Sequence, residues 1–177
     1  IAQDAADLIQ IEFDILEPVV GLSKSTLDDS PLVRADCPNN IAYEFHQGNK
    51  VAVDKIFSES KHVVKHTIGI NRLTASPIET RGVIADFNPE SMMTTVYLPT
   101  QGAFGAKNIL AKAFNQAPKS FRVIAGDVGG SFGMKGAIYA ETPLAVFASQ
   151  KWARPVKWIS DRSEAFMSDC HARDKAI

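Results

Sequence analysis

Apolar and polar residues alternate near the start of the chain. In IQIEFDIL, Ile9, Ile11, Phe13 and Ile15 occupy every second position. A period of two predicts a half-buried strand, which Pro18 ends. Residues 4–9 ahead of it read as the last turns of a helix. From about 21 to 58 the pattern weakens, and SKSTLDDSPL, DCPNN and HQGN are turn-rich, so this stretch reads as a connecting segment between two folding units. KHVVKHTIGINRL, 61–73, is β-rich. GVIADFNPESMMTTVYLP predicts two strands around a four-residue turn, Asn88-Pro89-Glu90-Ser91. Ile109, Leu110, Ala113 and Phe114 recur at helical spacing within 103–115. SFRVIAGD, 120–127, reads as a short strand. AIYAETPLAVFASQKW, 137–152, reads as a second helix with Pro143 near its first turn, where a missing N–H is tolerated. RPVKWISDR closes with a strand and a turn. Strand, helix, strand, loop, helix, strand is a mixed α/β (α+β) order with a sheet at its centre.

Composition acts mainly by exclusion. A chain of 177 residues fits one medium domain or parts of two. With 45% hydrophobic and 22% charged residues it can bury a core. A net charge of −1 without a basic run points away from nucleic acid and from a membrane surface. No apolar run approaches the roughly 18 residues of a membrane span. Cys37 and Cys170 lie far apart outside any CxxC pattern. That usage suits a reducing, cytoplasmic setting and leaves no iron–sulfur or zinc cluster held within the chain. The opening IAQDAADL, without Met, and the uncapped close RDKAI read as those of a fragment of a longer polypeptide.

GDVGGSFGMKG, 126–136, holds five of the eleven glycines. Such a cluster implies positive φ angles or a backbone that something must approach closely. Gly126, Gly129, Gly130 and Gly133 do not have the GxGxxG spacing of a dinucleotide fingerprint, and Lys135-Gly136 does not complete a Walker A loop. Successive N–H groups from Gly129 to Gly133, leading into a helix N-terminus, suit an anionic or strongly polar acceptor. A glycine-rich turn around a buried Phe132 fits the same residues.

The neighbours of the loop favour the first reading. VGGSFGMKG, with SFRVIAGD before it and AETPLAVFASQ, ARPVKWISDRSEAF and HARD after it, resembles the molybdenum hydroxylases. These are the large subunits of xanthine dehydrogenase, aldehyde oxidase and carbon monoxide dehydrogenase, whose usual form is a GGGFGGK-type loop, a helix and GRPVKW-x-x-DR. Upstream, YLPTQGAF is similar to the family's STQ segment and IETRGVIADF to its E-x-RG strand. NIAYEFHQGN and DLIQIEFDILEPVV resemble its passage out of a preceding small α/β domain. The resemblance spans essentially the whole chain, in order. It implies that residues 1–20 end a small hammerhead-type α/β domain, that 21–58 connect, and that 59–177 form part of the first molybdenum-cofactor-binding domain.

On that resemblance Gln101 falls on the glutamine whose amide faces an oxo ligand of the metal, a catalytic and cofactor-binding position. Gly130, Ser131, Phe132 and Gly133 fall on the loop that carries the pterin-dithiolene cofactor, with Ser131 standing where glycine is usual. Lys135-Gly136 stands where purine-oxidising members have Lys-Glu, as in carbon monoxide dehydrogenase-like members. The implied protein is a molybdenum-dependent oxidoreductase of carbon monoxide, an aldehyde or an N-heterocycle. Its molybdenum–pterin cofactor would be in the cytosine dinucleotide form. Electrons would pass to iron–sulfur clusters and FAD on an iron–sulfur subunit and a FAD-binding subunit, in a dimer of heterotrimers. The family's catalytic glutamate and specificity loop lie downstream, so these residues alone are expected to be inactive. A non-catalytic assembly module and a degenerate nucleotide-binding domain are the competing readings.

Other conspicuous residues have plainer readings. His62 and His66 in a strand are about 13 Å apart, too far to share an ion. Glu141 suits a helix start, with support of the loop as its other role. Glu79 and Arg81 read as structural pairs or support behind a pocket, and Asp161-Arg162 as a turn with an ion pair. Trp152 and Trp158 read as packing, and Cys170 as buried or idle.

Overall fold

The structure, a computed structural model, describes residues 1–177 apart from the side chain of Ala2. Its helices are α1 (Ala2–Asp7), α2 (Leu22–Ser25), α3 (Lys50–Glu59), α4 (Ala103–Ala113), α5 (Glu141–Trp152) and α6 (Arg162–Ser168). Its strands are β1 (Gly69–Ile70), β2 (Gly82–Asn88), β3 (Met93–Tyr97), β4 (Phe121–Ile124), β5 (Val156–Ile159) and β6 (Lys175–Ala176). The chain divides into two units, Ile1–Ile70 with Asp174–Ile177, and Asn71–Arg173.

In the first unit, β1 and β6 pair antiparallel. The strand expected over 9–16 does not form. Ile9, Ile11, Phe13 and Ile15 are exposed, and none of these residues pairs with another described strand. Alternation states which face of a strand would be buried, but the ladder and the covering surface must come from a neighbour. The weak stretch 21–58 contains more order than its pattern suggests. Asn49 caps α3 by accepting the Ala52 N–H at 3.0 Å, and Lys50 pairs with Asp54 one turn on at 2.7 Å. The β-rich run 61–73 yields only β1 and, in the second unit, a bridge between Leu73 and Ala172. His62 and His66 are exposed on irregular backbone, and no metal-ligating cluster exists among the described residues.

The second unit holds a sheet in the order β4-β3-β2-β5. β2 runs antiparallel to β3 and β5, and β3 parallel to β4, with α4 as the crossover. The β2–β3 hairpin closes at Asn88 opposite Met93. Its turn is therefore Pro89–Met92, one residue later than expected. Asn88 Oδ1 accepts the Glu90 and Ser91 N–H groups, and Met92 takes up the left-handed φ of 54°. Val83, Ala85, Val96 and Phe121 pack with Leu110 and Ala111 of α4 and Ala145 and Val146 of α5. On the other sheet face, Ile84, Tyr97 and Ile159 are 38%, 47% and 61% exposed, so helices cover only one side. There Ile84, Tyr97, Ile124 and Ile159 line a cleft of about 380 Å³.

Two helices depart from expectation. α5 starts at Glu141 rather than 137, because the residues before it brace the loop: Ile138 packs on the core and the Tyr139 hydroxyl donates to the Met134 carbonyl at 2.8 Å. Beyond β5, where a turn was expected, Asp161 accepts the Glu164 N–H at 2.7 Å and starts α6. Asp161 is thus a cap rather than a partner for Arg162, which donates to the carbonyls of Pro77 and Ser76 and lies 4.8 Å from the Phe166 ring. Trp152 is 59% exposed, Trp158 packs against the core, and Cys170 is exposed.

Leu110 is fully buried at the helix–sheet junction. Leu110→Ala is expected to lower unfolding stability by about 2–5 kcal/mol, read by denaturant titration of secondary structure.

Candidate functional site

The glycine loop leaves the end of β4 and is pinned at Gly129. The Gly129 N–H donates to Glu79 Oε2 at 2.9 Å, and the Glu79 N–H returns a bond to the Gly129 carbonyl at 3.2 Å. A Cβ on Gly129 would stand 2.6 Å from Glu79 Cβ, so this approach admits only glycine. At Gly130 φ is +99°, and a Cβ would lie 3.2 Å from both the Phe132 ring and Pro77. Phe132 itself has φ 52° and is 75% exposed. A bulky side chain in the left-handed region stores roughly 1–3 kcal/mol of strain. Ser131 is not among the residues with positive φ. Its hydroxyl accepts the Lys135 N–H and its carbonyl the Met134 N–H, both at 3.1 Å, closing the single turn Met134–Gly136.

Four successive N–H groups remain, those of Gly130, Ser131, Phe132 and Gly133. Among the described residues they donate to no backbone or side-chain acceptor. The expectation that the loop runs straight into a helix is corrected. The single turn and the stretch 137–140 separate it from α5, whose first residue, Glu141, is engaged by Arg81. The donor set is therefore the loop backbone without a helix dipole behind it.

Gln101 meets the far end of this loop. Its N–H donates to the Lys135 carbonyl at 3.2 Å, and that oxygen also accepts the Thr100 hydroxyl at 3.1 Å. A Cβ at Gly136 would come 3.6 Å from Gln101 Oε1, so the carboxamide lies against a position without a side chain. Lys135 points the other way. Its side chain is 2% exposed, and Nζ donates to Glu79 Oε2 at 2.7 Å and to the Glu79 carbonyl at 2.9 Å.

Behind the loop stands Arg81, at the entrance to β2. Its guanidinium donates to Asp169 Oδ1 at 2.6 Å, Glu141 Oε2 at 2.8 Å and Ser168 Oγ at 2.6 Å. It lies 3.9 Å from the centre of the Tyr139 ring and 5.4 Å from that of Trp158. Burial alone would lower its pKa, but Asp169 and Glu141 outweigh that and raise it. Burial raises the Tyr139 phenol, whose oxygen also accepts the Cys170 N–H at 3.0 Å. Glu79 and Arg81 are both engaged, but each with a partner other than the residue two positions away. Lys135 and Asp169 escaped sequence reasoning as members of this network. Lys135 had a signal, a lysine inside a loop already singled out, whereas Asp169 is 88 residues from Arg81 and had none.

Residues 33–177 match the molybdopterin cofactor-binding domain family. Over 176 residues the chain is 31% identical to the nicotine 6-hydroxylase large subunit of Paenarthrobacter nicotinovorans, covering 99% of this chain and 21% of that protein. It is 28% identical over 186 residues to the carbon monoxide dehydrogenase large chain of Hydrogenophaga pseudoflava, covering 98% and 23%. The solved carbon monoxide dehydrogenase from Oligotropha carboxidovorans matches it with a TM-score of 0.85 at 28% identity, over 98% of this chain and 23% of that one. The chain thus spans about a fifth of the length of the relatives it matches.

Two measurements probe the supports of the loop. Burial pushes the Glu79 carboxyl up, but hydrogen bonds from Lys135 and the Gly129 N–H outweigh it, so its folded pKa lies below the ordinary glutamate value. Its contribution is fully present above the unfolded value of about 4.3 and is lost as pH falls through the lower folded pKa. The Gly129 amide signal in NMR is expected to hold steady as pH falls to the ordinary glutamate value and to shift only below it, and Glu79→Gln to flatten that response. Arg81→Met leaves the Asp169 and Glu141 carboxylates without their cation. It is expected to cost about 3–5 kcal/mol in denaturant unfolding, with Arg81→Lys restoring less than half because an ammonium has no planar fork.

Proposed function

The chain belongs to the molybdopterin cofactor-binding domain family, and on that premise we propose that it is part of the large subunit of a molybdenum-dependent oxidoreductase. The observation that carries this reading is the run of four free amides from Gly130 to Gly133, with Gln101 against the end of the same loop. A molybdenum–pterin cofactor presents many oxygen and nitrogen acceptors together with negative charge. Backbone donors hold such a group without adding a competing charge. The close approach of Gly129 to Glu79, and of Gly130 to Pro77 and the Phe132 ring, packs one side of the loop against its own chain.

In this assignment the amides of Gly130, Ser131, Phe132 and Gly133 bind the pterin portion, in the cytosine dinucleotide form, and the exposed Phe132 ring walls the site. Gln101 turns its carboxamide toward the metal, where a neutral donor holds an oxygen without displacing a ligand. The cofactor, when bound, supplies the two-electron redox chemistry and its own dithiolene ligands to the metal, so the chain provides donors rather than metal-ligating side chains. Gly136 presents no carboxylate beside Gln101, which favours a substrate other than a purine: carbon monoxide, an aldehyde or an N-heterocycle.

The rest of the proposal concerns the whole protein. Residues 1–20 end a small hammerhead-type α/β domain, 21–58 connect it, and 59–177 contribute to the cofactor-binding domain. An iron–sulfur subunit and a FAD-binding subunit carry electrons away, in a cytoplasmic dimer of heterotrimers. Gln101→Ala in the full-length enzyme is expected to lower kcat/KM about 10–100-fold while the melting temperature moves by less than about 4 °C. Unchanged turnover would remove Gln101 from the site, and a full-length protein without molybdenum or pterin would remove the reading altogether.

A further inference from the structure

Lys135 is an expensive choice for a packing residue. Its ammonium is almost wholly removed from water, and both of its acceptors belong to one residue, Glu79, whose side chain is 39% exposed. Replacing a buried ion pair by apolar residues of similar volume is often neutral or stabilising, so such a pair is weak evidence for a role in stability. The pair also sits where geometry matters. Glu79 Oε2 takes the Lys135 ammonium and the Gly129 N–H together, while the Lys135 carbonyl takes the Gln101 N–H and the Thr100 hydroxyl. Gly129 and Lys135 flank the free amides of 130–133, so one carboxylate fixes both ends of that segment. The segment itself carries positive φ at Gly130, Phe132 and Gly133, a conformation it would not hold unaided.

We propose that the Lys135–Glu79 pair is a positioning latch that sets the 130–133 amides, and through the Lys135 carbonyl the Gln101 segment, in ligand-ready shape before any cofactor arrives. The latch rests on the assignment of this loop to cofactor binding. Its physical content is preorganisation: the loop's ordering cost is met during folding rather than drawn from binding energy.

The test uses the full-length protein with Lys135→Met, Lys135→Arg and the double variant Lys135→Met/Glu79→Leu. Hydrogen exchange is followed at the loop's hydrogen-bonded amides, those of Met134, Lys135 and Gly136 and the Gln101 N–H that meets them, in protein made by a host that cannot synthesise pterin. Molybdenum per chain is measured in protein made by a host that can. The latch predicts loop exchange faster by about tenfold or more in Lys135→Met and in the double variant, with partial recovery in Lys135→Arg. It predicts molybdenum content about tenfold lower in the same two variants. The double variant should nevertheless melt within about 4 °C of the parent. Unchanged loop exchange overturns the proposal. So does exchange that rises across the whole second unit in step with a falling melting temperature in every variant, the behaviour of a plain core support. A parent protein that carries no molybdenum or pterin defeats the functional assignment alone, and loop exchange in the pterin-free protein still decides for or against the latch.

Discussion

The second unit depends on one buried cation. Arg81 stands at the mouth of the central strand β2 and reaches the start of α5 through Glu141, the end of α6 through Ser168 and Asp169, and the rings of Tyr139 and Trp158. A guanidinium withdrawn from water must find a carboxylate for its charge and acceptors for its N–H groups. Here those partners come from segments widely separated along the chain, so satisfying one side chain fixes where several elements meet. Tyr139 and Glu141, which meet Arg81, line a small cavity together with it, Lys135 and Thr142.

Two residues earlier the same stretch of chain supplies a second anchor of opposite sign. Glu79 faces the loop and Arg81 faces the helices, while Thr80 between them donates to the Ser160 carbonyl. The approach to β2 therefore does more than open a strand. Its cation orders the helices behind the loop, and its anion orders the loop itself. That division explains how a segment with left-handed φ at a bulky, exposed phenylalanine persists: the strain is local, and the restraints on either side are buried or hydrogen-bonded. Rigid support beneath an irregular loop is the usual arrangement for a ligand site.

The sheet adds a further constraint. Helices α4 and α5 cover one face with small and branched side chains, and the close fit of Ala85, Ala111 and Ala145 brings helix and strand backbones together. The opposite face keeps Ile84, Tyr97 and Ile159 in contact with solvent. Exposed apolar residues at alternate strand positions are what a two-sided sheet looks like when only one side is covered.

Legibility followed the range of the interaction. The β2–β3 hairpin, α4 and the core of α5 could be read within a few residues of error, because periodicity and turn chemistry are local and the residues that encode them lie side by side. The loop was legible for a related reason: Gly129 and Gly130 mark backbone where a side chain would meet its neighbours closely, and Gly133 marks a left-handed φ of 100°. The α6 start was also written locally, in Asp161 and Glu164, but was read as a turn. The strand expected at 9–16 failed in the other direction, since its alternation was present and its partner was not. By itself the sequence determined where the backbone bends and which faces are apolar. Only the tertiary structure decided that Arg81 would answer to Asp169 and Glu141, that Lys135 would turn inward to Glu79, and that Gln101 would lie against Gly136. Charge pairing acts through space, and nothing in a residue's neighbours along the chain states which distant carboxylate will neutralise it.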